Sequence, residues 1–350
     1  MRTRFVNGDS QHRQHQQFEA QEVLLKDSTD TIIMNDTQQR FTALEQELSS
    51  RGNWLVGIES TIYLIVLLTA VLGNIMLTIA VFKTQTLQRT QNYYLLSLAA
   101  TDIVIAITSM PLTLVVFIQG TWPFSNFICQ LQGSLISVCS TVSLLTLGMI
   151  AVNRYVKIVC LPGLYQKIFS KKNVYISIAI SWIAITLVTF VAYSFGETVF
   201  FYHPGKAICW AKVNLKTALG LYCTITYSLN MSLTYLAIYF SYYKVFKKIR
   251  AHFAHVANTS LHSDSSIAFA EEVKVTTMLF VTVVAFVICW IPTNIADLYE
   301  IFAGYYTLPR QLYFFNIFTL ACSSAINPLV YGFMKNEFRE AYKKVLCGSA

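Results

Sequence analysis

The sequence predicts an all-α membrane protein: a bundle of seven transmembrane helices followed by a C-terminal amphipathic helix. Three observations carry this. Of 350 residues, 55% are hydrophobic and only 13% charged, about half the charged share of a soluble domain. The charges are missing in blocks long enough to cross a bilayer. Lys and Arg then collect in alternate links between those blocks, as the positive-inside rule requires.

The charge-free windows are 60–82, 90–118 apart from Asp102, 121–153, 173–196, 217–243, 275–296 and 311–334. Each is long enough for a helix crossing about 30 Å of hydrocarbon. Lipid offers no partner to open backbone groups and no alternating barrel pattern is present, so the windows read as helices. The first inner link holds Lys83 and Arg89. The second holds Arg154, Lys157, Lys167, Lys171 and Lys172, and the third Lys244, Lys247, Lys248, Arg250 and Lys274. The C-terminal segment adds Lys335, Arg339, Lys343 and Lys344. The opposite links hold Lys206, Lys212, Lys216 and Arg310. The expected orientation is N-terminus outside, C-terminus cytoplasmic, in the plasma membrane. The formal charge of +8 is no sign of a nucleic-acid partner, because the basic residues sit in clusters between apolar runs.

Residues 1–53 are polar and Gln-rich and read as a disordered extracellular tail. Residues 54–332 read as the seven-helix transmembrane domain and 333–350 as amphipathic helix and short tail. Asn35-Asp36-Thr37 has the pattern of a glycosylation acceptor. With this topology Cys129 and Cys209 are the two cysteines placed in the oxidising compartment, so they are expected to pair. Cys139, Cys223, Cys289 and Cys322 fall within spans and read as small apolar packing residues.

The third helix ends LGMIAVNRYVKIV, with Asn153, Arg154 and Tyr155 where the apolar run stops. The first helix carries Gly73-Asn74, the second LAATD ending in Asp102, and the fourth Trp182. The sixth carries FVICWIP with Phe286, Trp290 and Pro292, and the seventh NPLVY with Asn327, Pro328 and Tyr331. This ordered set, over residues 55–347, resembles the rhodopsin-like (class A) G-protein-coupled receptors. NRY, LYQKIFSKKN and KNEFREAYKKVL are closest to the melatonin-receptor-like subgroup. The chain departs from that subgroup at NPLVY, at Thr234 where helix five usually has proline, and at Ala211 and Val213 after Cys209.

An arginine at the inner boundary has two readings, a headgroup anchor or a switch. The resemblance implies the switch. The usual neighbouring carboxylate is absent, because residue 153 is Asn, so Glu272 at the start of helix six is the expected partner. The pair would hold the inner face shut. Opening would free Arg154 for a heterotrimeric G protein, with Tyr242 and Tyr331 turning in. Pro292 and Pro328 remove helix hydrogen bonds and read as hinges, with Phe286 and Trp290 beside the first and Asn327 before the second. Asp102, mid-span, is either a neutral packing residue or, as the resemblance implies, part of a sodium and water pocket with Asn74, Ser143, Ser324 and Asn327.

The resemblance places Ala321 where a retinal lysine would stand and Ile136 where amine receptors carry a carboxylate. It thus implies neither retinal nor a monoamine. Trp290, Asn294, Asp297 and Ile301 fall at i, i+4, i+7 and i+11, one helical face. With Ile136, Ser137 and Ser140 they describe an apolar cavity with a few polar groups, fit for a neutral small molecule. Asp297, Glu300 and Glu197 fit a basic peptide instead, or merely face water. Inside, KVFKKIR at 244–250 fits anionic lipid or a G protein. Thr259, Ser260, Ser263, Ser265 and Ser266 would carry any phosphorylation that recruits arrestin. Phe333, Phe338, Tyr342 and Leu346 are expected to face lipid, and Cys347 is either palmitoylated or a free thiol. Two other classes stay in view. An enzyme needs a nucleophile–base pair within the spans, and the sequence offers none. A transporter would show repeated halves and several deep charges, where here Asp102 stands alone.

Overall fold

The structure is a computed structural model and describes residues 35–195, 198–213, 217–259, 264–304 and 306–347. A first helix, α1, covers residues 35–49. The long helices after it follow the charge-free windows. They are α2 (Asn53–Lys83), α3 (Asn92–Gln119), α4 (Asn126–Val159), α6 (Lys171–Ser194), α7 (Ala218–Thr259), α8 (Asp264–Ala303) and α9 (Arg310–Met334). A short α5 (Pro162–Ile168) links α4 to α6. Six of the long helices are apolar enough along their length to cross a membrane. The seventh, α7, is richer in Thr, Ser, Asn and Tyr but carries no charge from 217 to 243. At 42 and 40 residues, α7 and α8 are about 60 Å long, twice the hydrocarbon thickness.

The helix starts are chemically marked. Ser125 Oγ accepts the Ile128 amide at the head of α4, and Ser170 Oγ accepts the Asn173 amide at the head of α6. Of the six apolar spans, α4 is the most enclosed and α6 the least. α4 packs on α3, α6 and α7, while α2 packs on α3 and α9, and α8 on α9. A groove of about 720 Å³ runs between α4, α6 and α7, lined among others by Gly148, Ser177, Asn230 and Thr234.

Between α6 and α7 the chain forms an antiparallel hairpin, β1 (Thr198–His203) with β2 (Ile208–Val213), in register from Thr198↔Val213 to His203↔Ile208. A Cys129–Cys209 disulfide ties β2 to the head of α4, as expected from the topology. Cys139 and Cys289 are free and buried, Cys322 is free and half-buried, and the Cys223 side chain lies outside the described residues.

The tail differs from expectation. Residues 35–49, read above as disordered, form α1; residues 1–34 lie outside the described residues. Leu44 and Leu48 are buried, Phe41 meets Tyr202 and Tyr306 edge-on, and Arg40 donates to the Ala303 carbonyl at the end of α8 (3.3 Å). Apolar residues at 41, 44 and 48 line one helical face, and that face found the hairpin as its partner. Gly120, which ends α3 at φ 77°, has no room for a Cβ because Ser49 packs against it.

α10 (Asn336–Cys347) closes the chain at the opposite end. Phe338 and Tyr342 do not face outward as expected; both are buried. Phe338 packs on Tyr331 (5.7 Å) and the Tyr342 hydroxyl donates to the Pro328 carbonyl (3.3 Å). The end of α9 offers these rings a protein surface, and only Phe333 and Leu346 remain exposed, together with Cys347.

Candidate functional site

Arg154 is the largest fully buried side chain in the structure, with no accessible surface. A guanidinium so placed requires acceptors all round. Its Nη1 donates to Glu272 Oε2 at 3.2 Å, its Nε to Asn153 Oδ1 at 3.2 Å, and its Nη2 to both Asn153 Oδ1 and Gln91 Oε1. Lys157 Nζ stands 3.8 Å from Glu272 Oε1. The expected α4–α8 pair is therefore formed. Gln91, from the turn before α3, is a ligand the sequence reading missed. Asn153 plays the part of a neutral acceptor and donates in turn to the Tyr165 hydroxyl of α5 at 3.5 Å. Tyr242 and Tyr331 are buried near the same end, Tyr242 against Phe280 (5.0 Å) and Tyr331 against Phe338. Tyr155 is half-buried beside Phe240.

At the centre, Asn327 Nδ2 donates to Asp102 Oδ2 at 2.9 Å. Asn74 Nδ2 donates to the Ser324 carbonyl, also at 2.9 Å. That carbonyl lies four residues before Pro328, which has no N–H to give it, so Asn74 replaces the missing helix bond. Ser143 is buried on the facing helix α4. Its hydroxyl bonds that of Thr101, the neighbour of Asp102 on α3, at 2.7 Å. Asn74 Oδ1 is buried with no partner among the described residues. One carboxylate with neutral oxygens around it is a donor set for a hard cation, and no cluster of three His, Cys, Asp or Glu stands among the described residues.

Above this centre a cavity of about 40 Å³ is lined by Ile136, Ser140, Trp290, Ala321, Tyr63 and Ile208 among others. Phe286 stacks on Trp290 with centroids 5.6 Å apart. Two expectations are corrected. Asn294 is exposed and Ile301 is 64% exposed, and neither lines the cavity. The buried stripe of α8 is Cys289, Thr293, Ala296 and Glu300. It has the expected i, i+4, i+7, i+11 spacing but is set one residue back, turning Asn294 about 100° away. Ser137 does not line the cavity either; its carbonyl accepts the Ser140 and Thr141 hydroxyls.

Over the cavity, Glu300 is buried and Asp297 half-buried, and both are paired. Lys206, at the hairpin tip and 1% exposed, donates to Asp297 Oδ1 at 2.6 Å and to Glu300 Oε2 at 3.1 Å. Its ammonium lies 4.8 Å over the Trp210 ring. Glu300 also accepts from the Tyr313 hydroxyl, the Tyr306 amide and His203 Nε2 (2.9 Å). His203 Nδ1 accepts the Lys206 amide, which leaves the proton on Nε2. Burial pushes the His203 imidazole down to about 4 even with Glu300 beside it. A second network lies alongside: Glu59 of α2 accepts from Arg51 and from Arg310 (2.8 Å), all three buried. The sequence reading assigned neither network. Glu197, Lys216, Ser260, Ser263 and the side chains of Lys212, Thr259, Ser265 and Ser266 lie outside the described residues.

A family model described as 7 transmembrane receptor (rhodopsin family) matches residues 73–331. The chain belongs to the rhodopsin family of seven-transmembrane receptors. It is 24% identical over 309 residues to a melatonin receptor type 1C of Xenopus laevis, covering 86% of this chain and 70% of that one. It is 28% identical over 307 residues to a galanin receptor type 1 of Mus musculus (85% and 84%), and 24% over 307 residues to a human 5-hydroxytryptamine receptor 4 (81% and 77%). Membership fixes the class: a multi-pass membrane receptor that couples to G proteins in response to extracellular ligands, and no enzyme. The melatonin-receptor flavour read from NRY and the tail is among these likenesses.

Proposed function

We propose that this receptor is held inactive by the Arg154 cluster and that a ligand at the hairpin end releases it. The observation that carries the reading is the burial of Arg154 against Glu272, Asn153 and Gln91, which closes the inner end between α3, α4 and α8. Binding would shift α8 and α9 at Pro292 and Pro328, withdraw Glu272 and expose Arg154 to the G protein. The hairpin end then faces outward and α10 lies on the inner leaflet.

The ligand is a neutral small molecule, with melatonin-like compounds the first to try. The cavity lining carries no charged side chain and is apolar apart from the hydroxyl-bearing Tyr63, Ser109, Thr113, Ser140, Ser323 and Ser324, and the carboxylates that a basic peptide would seek are matched by Lys206. A cavity of about 40 Å³ is well below the roughly 300 Å³ of a ligand site, so binding requires the cavity to expand. Sodium would be held by Asp102 with Ser143, Ser324, Asn327 and the unpartnered Oδ1 of Asn74, and would favour the closed form. Glycosylation at Asn35, palmitoylation at Cys347 and arrestin recruitment through 259–266 complete the proposal.

The test is ligand-dependent nucleotide exchange on a co-expressed G protein across a broad panel that includes melatonin. Substrate uptake with no effect on any G protein would point to a transporter and defeat the reading.

A further inference from the structure

The middle of the charge-free run 217–243 on α7 is Asn230, so an amide stands at the bilayer midplane. Asn230 and Thr226, one turn apart on one face of α7, line the groove between α4, α6 and α7 and not the cavity at Trp290. The Thr234 hydroxyl donates to the Asn230 carbonyl at 2.8 Å and to its Oδ1 at 3.5 Å. Among the described residues, the Asn230 amide nitrogen then has no acceptor and the Thr226 hydroxyl no partner. A polar group unpaired in hydrocarbon is costly, and one kept at that depth marks a site by default.

The groove is shaped to hold a molecule. α6 and α7 both pack on α4 but barely on each other. Gly148 sets the floor between them, where a Cβ would come within 2.9 Å of the Thr234 methyl. Along α7 the lining runs from Thr226 to Ala237, about 16 Å of helix. A volume of about 720 Å³ over that length gives a section of about 45 Å², more than twice what one acyl chain fills when its carbons pack about 4 Å from their neighbours. The lining carries no charged side chain, so a charged headgroup finds no partner there. Two donors one turn apart suit the two lone pairs of one carbonyl oxygen.

We propose that this groove is a second ligand site, open to the bilayer, for a neutral steroid-like ketone. The fused rings fill the width between α6 and α7, and Asn230 Nδ2 and the Thr226 hydroxyl donate to the ketone oxygen. The site shares no lining residue with the cavity at Trp290 and does not depend on what that cavity binds. Its inner end is lined by Ile168 and Phe169. Phe169 stacks on Tyr165 with centroids 5.5 Å apart, and the Tyr165 hydroxyl accepts from Asn153, itself an acceptor of Arg154. An occupant therefore packs against the ring that backs the Arg154 cluster.

The full-length receptor is purified into phosphatidylcholine nanodiscs and irradiated with tritiated promegestone, a steroid dienone that crosslinks on illumination. Saturable label is expected in the α4 and α7 peptides that carry Gly148 and Asn230. Progesterone is expected to displace it about tenfold more effectively than 5α-pregnane, the same skeleton without oxygen. Asn230→Leu puts an apolar side chain of similar size into hydrocarbon, so the fold is kept, and is expected to weaken saturable labelling about tenfold. Ala237→Phe fills the groove while leaving both donors in place; it is expected to abolish the label, and serves if Asn230→Leu does not enter the discs folded. Label that does not saturate, or that follows lipid exposure along every span, would overturn the site. Equal displacement by progesterone and 5α-pregnane would overturn it too, as would labelling unchanged in both variants. A second receptor copy covering the groove would appear instead as disulfide-linked dimers of Asn230→Cys that the parent does not form, and would equally defeat the assignment.

Discussion

Glu272→Gln isolates the charge in the Arg154 cluster while keeping its shape. Breaking a fully buried ion pair costs about 3–5 kcal/mol, and an exposed pair is worth about 0–1 kcal/mol. The pair lies between these limits: Arg154 is wholly buried, but the Glu272 side chain is 33% exposed and has Lys157 as a second neighbour. The substituted amide would retain an acceptor oxygen, and Gln91 and Asn153 would still hold the other donors. The loss from the closed form is then about 1 kcal/mol, which moves a closed–open equilibrium about fivefold. The assay is basal nucleotide exchange on a co-expressed G protein, normalised to receptor at the cell surface. A rise of about fivefold is expected, with a further rise when Gln91→Leu is added. Basal exchange equal to the parent at equal surface density would refute the lock, whatever the ligand proves to be.

Asp102→Asn is expected to abolish any effect of sodium on agonist affinity, measured by competition binding with and without sodium; full retention of that effect would remove the cation from the central pocket. His203 makes stability pH-dependent with a definite sign. The group is neutral when folded, with Glu300 of α8, Lys206 of the tip and the Tyr306 and Tyr313 rings facing it. Its folded pKa of about 4 lies below the ordinary 6.5. Stability is thus intact above pH 6.5, falls as the pH drops toward 4 and changes no further below that, by on the order of 3 kcal/mol in all; thermal melts of the purified receptor against a His203→Gln variant measure it. Glu59→Gln removes the one carboxylate that faces the buried guanidinium groups of Arg51 and Arg310, leaving Arg51 its bonds to the Leu48 and Phe117 carbonyls, and is expected to cost about 3 kcal/mol, read as a drop of several degrees in Tm, with Arg310→Met milder because it leaves Arg51 and Glu59 paired.

What the sequence discloses and what it hides follow from how each feature is encoded. Charge avoidance is written along the chain, so the spans, the deep Asp102 and the terminal Arg154 are legible directly. Glu272 is legible because the family motif leaves Arg154 needing a carboxylate and few remain at that depth. Gln91 is not, since a neutral amide in a turn gives no signal until the fold brings it under a guanidinium. The register of α8 fails by one residue because a stripe started at Trp290 runs through Asn294, whereas the buried stripe starts at Cys289 and runs through Thr293. The α1 helix was hidden by its polar surroundings, although Phe41, Leu44 and Leu48 carry its period and Asp36 pairs with Arg40 at i, i+4. Lys206 could not be placed from sequence at all. Read linearly it is one cation among several in outer links, and only the burial of the tip brings it against Asp297 and Glu300.

The Asn74 amide on the Ser324 carbonyl has a mechanical meaning. A proline weakens its own helix, yet the weak point of α9 is splinted by a side chain from α2. Bending there is not a private affair of one helix, because straightening or sharpening the kink must first break, or carry along, a bond anchored in its neighbour. The stiffness of the joint is thus set next door, and a change at position 74 would retune how readily the seventh span flexes without altering a single residue of that span.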